Sequence, residues 1–270
     1  MALSSESSAD ISRFFASIKS LNELDRLEVR NLVSTGLIGA PTNREHYFLL
    51  NYNRAVLSVD LLLTLTGYKH FQTVANISRS VFEIAVEMWM MQAESGSTEK
   101  ITAFIECEKL RAARKIMKYG VNDTKKAGLL SIYMDYIKQN GDRIDAEQQR
   151  IWPGKRKVGH WSVKDMAQRC ELLGGEFDEL YSFHYAELSW YVHSGVIGVA
   201  NVDQDTIAHL CGIAFQIIVK CYSLILEAII NCFQMYNADD RLKKKIVLAR
   251  MLPFTESERE RAALARVSLA

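Results

Sequence analysis

The chain is 270 residues long, 49% hydrophobic and 24% charged, with a net charge of +1. That length supports one large core or two small ones, and the balanced charge excludes a global field that would recruit nucleic acid or anionic lipid. Three prolines and 14 glycines leave little punctuation, which points to long helices with short connections.

Helical periodicity dominates, and no stretch sustains the alternation of a strand. The opening MALSSESSADISRF lacks the basic region and apolar run of a signal peptide. The first helices are predicted over Ser8 to Lys19 and Asn22 to Thr35, with LIGAP ending the second. Thr42 and Glu45 fit a capping box, in which the threonine accepts from the first turn and the glutamate reaches back. That helix is expected to run to about Thr66, where TGYKH breaks it. A long helix follows from about Phe71 to Ala93, then the loop SGST. A charged helix is expected from Glu99 to Lys118, its mixed charge marking a solvated face, and another over Lys125 to Gln149.

IWPGKRKVGHWS is the clear irregular region, with Pro153, Gly154 and Gly159 close together. Ser162 and Asp165 read as a capping pair opening the next helix, which Gly174 and Gly175 end. A further helix is predicted from Glu176 to about His193, then a loop over Val196 to Asn201. The most apolar segment runs from Thr206 to Tyr236. Its interruption by His209, Lys220 and Glu227 argues for a buried central helix rather than a membrane span, which needs about 20 nearly uncharged residues. Arg241 to Leu252 and Thr255 to Val267 close the chain, the last with Thr255 and Glu258 as a capping box.

The expected architecture is an all-α helical bundle around that central apolar helix. An N-terminal helical pair occupies 1–40, the bundle core 41–237 and a C-terminal helical arm 238–270. Five cysteines, an odd number without a CxxC pair, fit a reduced cytoplasmic compartment. Cys211, Cys221 and Cys232 act as small hydrophobes within the apolar helix.

The chemistry-bearing residues fall into two groups. Tyr181, Tyr185, Ser189 and His193 recur at spacing four on one predicted helix, and Arg79, Glu83 and Glu87 do so on another. Residues four apart share a helical face. If the two stripes face each other, Glu83 orients His193 and Arg79 holds an anion, an arrangement suited to acid–base chemistry on a phosphodiester. The competing reading makes Arg79 and Glu83 a simple i,i+4 pair and His193 a helix C-terminal cation. The second group is Lys155, Arg156, Lys157, His160 and Trp161. Cations beside an aromatic suit a phosphate and a stacked base, or form an ordinary solvated loop over a core tryptophan. No HExxH, Glu-x-x-His pair or Cys/His cluster suggests a metal, and no glycine-rich loop suggests a nucleotide cofactor, so neither is expected.

RSVFEIAVEMW, WSVKDMAQR and YSFHYAELSWYVHSG together resemble a bacterial all-helical family of unknown function, over about Ala55 to Cys232. By that likeness Arg79, Glu83, Trp161, Tyr185, Ser189 and His193 are marked positions. The family is more loosely similar to the HEPN superfamily, many of whose members are dimeric ribonucleases of toxin–antitoxin and phage-defence systems. Those use an arginine followed a few residues later by histidine on one helix. Here Glu187, Leu188 and Ser189 precede His193 instead, so the resemblance implies that Arg79 supplies the cation from another helix. It implies a cytoplasmic homodimer acting on RNA, with His193 as acid–base group, Arg79 as phosphate anchor, Glu83 as orienting carboxylate and Ser189 in support. Tyr185 and the 155–161 loop would contact substrate, and a partner protein from the same operon is expected. The alternative is a non-catalytic helical module that binds a protein or small ligand.

Overall fold

In the computed structural model, residues 5–36, 40–65, 70–120, 127–192, 204–233 and 240–253 are described. All elements among them are helical: α1 (Ser5–Leu24), α2 (Arg30–Gly36), α3 (Asn43–Thr64), α4 (Phe71–Ala93), α5 (Ser97–Gly120), α6 (Ala127–Ile151), α7 (Met166–Leu173), α8 (Gly175–Leu180), α9 (Ala186–Val192), α10 (Gln204–Phe233) and α11 (Asp240–Met251). Two π turns, Asp25–Val29 and Tyr181–Tyr185, join α1 to α2 and α8 to α9. The expected Thr255–Val267 helix and Val196–Asn201 loop lie outside the described residues.

The residues form two compact units, 1–90 with 170–270 and 91–169. In the first, α10 packs against α1, α2, α3 and α11. It is long and apolar enough to cross a membrane, yet 89% of its most apolar stretch is buried within the fold, as in a core helix. Leu210, Ala214, Ile218, Cys221, Tyr222 and Ile225 line its buried face. At 20–33 cal/mol per Å², such burial is the main stabilising contribution. The capping box at Thr42 forms as expected: Glu45 Oε2 accepts from the Thr42 backbone N–H at 2.7 Å, and Thr42 Oγ1 accepts from Glu45 N–H at 3.3 Å.

The predicted break between Lys19 and Asn22 is absent. Without glycine or proline there, α1 runs through the first π turn into α2. Asn22 is buried and tertiary: its amide donates to Asp60 Oδ1 at 3.2 Å and its Oδ1 accepts from the Tyr222 hydroxyl at 3.4 Å.

The second unit is an α5–α6 hairpin followed by an irregular loop. Arg114 pairs bidentately with Asp145 across the hairpin, at 3.0 and 2.6 Å. Arg150 joins Glu99 to Glu147, and Arg143 reaches Glu106. Leu110, Trp152, Val158 and Trp161 are all buried in this unit, and the Trp152 indole N–H donates to the Trp161 carbonyl at 3.1 Å. The predicted Ser162–Asp165 capping pair is shifted by three residues. Asp165 Oδ1 accepts from Gln168 N–H at 2.9 Å and Gln168 Oε1 accepts from Asp165 N–H at 3.1 Å, so the cap opens α7. The cause is a turn in which Val163 adopts φ +54° and its N–H bonds the His160 carbonyl, delaying the helix to Met166.

Candidate functional site

Helix α4 and the continuous helix α8–π–α9 lie antiparallel. The Trp89 and Phe177 rings are 6.0 Å apart, and those of Phe82 and Tyr185 are 4.7 Å apart. Seven residues on α4 therefore match eight on its partner. In an unbroken α-helix, eight residues would place Tyr185 roughly 80° round from Phe177. The π turn absorbs one residue and returns Tyr185 to the face that meets α4.

That juxtaposition assembles a polar cluster. The Tyr185 hydroxyl donates to Glu83 Oε1 at 2.7 Å. Arg79 Nε and a terminal nitrogen donate to the same oxygen at 3.3 and 3.1 Å. The guanidinium also lies 5.4 Å from the centre of the Tyr185 ring, within cation–π range. Tyr181 stacks on Tyr185 at 5.6 Å. The Arg79 side chain is 20% exposed and that of Glu83 42%, so the cluster opens to solvent while the Tyr185 ring is buried. Ser78, next to Arg79, buries a hydroxyl that has no hydrogen-bond partner among the described residues.

Burial pushes the Tyr185 phenol up to about 12, reinforced by the adjoining Glu83 carboxylate. Tyr185 is therefore a donor at neutral pH. Burial opposes the Arg79 charge, but Tyr185 and Glu83 together hold its pKa above the ordinary arginine value. The cluster presents a fixed cation beside a carboxylate that is already shared by two donors.

The two expected stripes thus face each other through Arg79, Glu83 and Tyr185. The partner found for Glu83 is Tyr185, and His193 lies outside the described residues. Tyr181 and Tyr185 share a face because the π turn carries them, not because an α-helix spaces them.

The basic loop belongs to the second unit. Lys155, Arg156 and Lys157 are exposed, while Trp161 is 2% exposed and offers no face to a stacking base. His160 Nε2 lies 3.0 Å from an Arg169 guanidinium nitrogen, and its Nδ1 lies 2.8 Å from the Ser162 hydroxyl and 3.2 Å from the Ser162 backbone nitrogen, so the ring is held on both sides. Among the described residues no group of three His, Cys, Asp or Glu side chains is placed to hold a metal. The five thiols are unbridged, and burial raises those of Cys211 and Cys232 to about 11.

Two polar sites escape a sequence reading. Asp25 is 0% exposed at the start of the first π turn; its carboxylate accepts from the Tyr52 hydroxyl and, at 2.9 Å, from Arg30 Nε. Burial raises its pKa despite those donors. The available signal was a polar pair, Asn22 and Asp25, on the apolar stripe of Ile18, Leu21 and Val29. The other is His184, whose Nδ1 is buried with no hydrogen-bond partner among the described residues. Burial, then the nearby Lys220, lowers its pKa.

An all-helical protein with a cross-helix arginine–carboxylate–tyrosine cluster is the class these features define. The chain belongs to the Family of unknown function (DUF5677), whose model matches residues 45–206, a span that includes the cluster and the whole second unit. No curated protein and no solved structure matches it significantly.

Proposed function

We propose that this protein is a HEPN-like helical effector that cleaves RNA without a metal, in stress or phage defence, as a cytoplasmic homodimer. The supporting observation is the meeting of Arg79, Glu83 and Tyr185 from segments 102 residues apart, at a place open to solvent. A guanidinium beside a phenolic donor suits a phosphodiester, whose developing negative charge both groups would stabilise. In the resting protein Glu83 occupies the guanidinium, so phosphate binding exchanges one anion for another. His193 then takes the proton from an RNA 2′-hydroxyl as it attacks phosphorus, and a proton goes to the departing 5′-oxygen. Ser189, four residues before His193 on the same helix, supports the phosphate.

The test is expression of the native protein, Arg79→Ala and His193→Ala, with growth and RNA integrity followed beside melting temperature. Growth arrest and RNA breakdown lost in both variants, at unchanged melting temperature, support the reading. Intact RNA with the native protein overturns it.

A second reading, a non-catalytic interaction module, is favoured by the mutual satisfaction of Arg79, Glu83 and Tyr185. A closed network of this kind fixes helix register. On that reading Glu83→Gln lowers the melting temperature and no form of the protein alters RNA.

A further inference from the structure

The overall charge of +1 conceals a separation. Residues 91–169 carry 16 Lys and Arg against 10 Asp and Glu, a net +6, and the remainder carries 17 against 22, a net −5. Within the basic unit most carboxylates are occupied. Glu94, Glu99, Glu106, Glu108, Asp145 and Glu147 each pair with a cation of the hairpin or of the α7 approach. The successive exposed cations Lys155, Arg156 and Lys157 have no ion pair among the described residues.

Their loop is also held in place. Gln148 Nε2 donates to the Lys155 carbonyl at 2.8 Å, Gln149 Oε1 accepts from Gly154 N–H at 3.3 Å, and Arg111 donates to the Val158 carbonyl at 2.9 Å. The backbone is anchored and the three charged residues it carries are exposed. Pre-positioning lowers the ordering cost of binding. A membrane-docking loop would combine cations with apolar anchors, whereas the exposed neighbours here are Pro153, Gly154 and Gly159.

We propose that the 155–157 loop is a docking surface for the phosphate backbone of a single-stranded RNA, read through charge without base stacking. This deepens the RNA-directed reading, on which it rests for the identity of the strand. The surface captures substrate and Arg79 engages the scissile phosphate; they are separate sets of residues.

Binding of a fluorescein-labelled oligouridylate is measured by anisotropy across a KCl series, for the full chain, for Lys155→Ala/Arg156→Ala/Lys157→Ala and for Arg79→Ala. Each neutralised phosphate of a single strand contributes about −0.7 to the slope of log K against log salt. The triple variant is expected to flatten that slope by about 2 and to weaken low-salt binding about tenfold or more, whereas Arg79→Ala, which removes a single phosphate contact, flattens it by no more than about 0.7. The substitutions keep every backbone bond that anchors the loop, and an unchanged melting curve checks this. Native-like RNA binding by the triple variant overturns the proposal, as does a native protein that binds only anionic vesicles or an acidic peptide. Loop-dependent binding without any cleavage leaves the docking surface standing and removes the ribonuclease reading.

Discussion

The Tyr185 hydroxyl donates to Glu83 Oε1 across 2.7 Å and 102 residues of sequence, and Arg79 shares the same oxygen. This bond ties the π turn to α4, so the cluster is at once a candidate site and a register lock. Tyr185→Phe removes the donor but leaves Glu83 paired with Arg79 and partly hydrated. The expected loss is about 1 kcal/mol of unfolding free energy, measured by chemical denaturation. A loss within error would show that the bond does not hold the helices together.

Asp25 gives a larger effect with a pH signature. Tyr52→Phe strips one of the donors from a fully buried carboxylate, at an expected cost of about 2 kcal/mol at neutral pH. The Asp25 pKa is already raised in the folded protein, so the folded state holds the proton to higher pH than the unfolded chain does. Its share of stability is therefore present below the unfolded value and declines as pH rises through the folded one. Without the phenol the charged form loses support, so the variant's deficit should be smaller near pH 4 than at pH 7. Equal deficits at both would contradict this.

His184 works in the opposite sense. Its folded pKa is lowered by burial, with Lys220 adding to the effect and Glu179 and Glu187 opposing it. The unfolded chain then binds the proton first as pH falls below about 6.5, and native stability drops. His184→Gln should flatten the melting temperature between pH 7 and pH 5. A native-like acid dependence in the variant would assign the drop to other groups.

Val163 has φ +54°, a region that costs an L-residue roughly 1–2 kcal/mol and that asparagine tolerates. Its side chain is largely exposed, so little burial is lost on substitution. Val163→Asn is expected to stabilise the second unit by about 1 kcal/mol, read as a higher denaturation midpoint.

Trp161 separates a core role from a stacking role. At 2% exposure it fills the second unit, so Trp161→Ala should cost about 3–5 kcal/mol of that unit's stability. A variant that melts like the native protein but fails only in RNA binding would restore the stacking role.

By itself the sequence determined the helical class, the extents of α3, α4, α10 and α11 to within a few residues, and the capping box at Thr42. These are local properties: periodicity, end signals and the absence of strand alternation act over a few turns of one helix. It also marked Arg79, Glu83 and Tyr185, because polar residues at helical spacing are visible in one dimension. Only the tertiary structure decided that Glu83 meets Tyr185, that Asn22 continues a helix rather than breaking it, and that Asp25 is buried against Tyr52 and Arg30. Each depends on residues up to 200 positions apart. The π turn at Tyr181–Tyr185 is the sharpest case: an inserted residue in a helix has no local signature, and its cost is met only when it turns Tyr185 toward α4. The same holds for charge, since a sum of +1 becomes a basic unit and an acidic one only when the chain's contacts say which residues belong together.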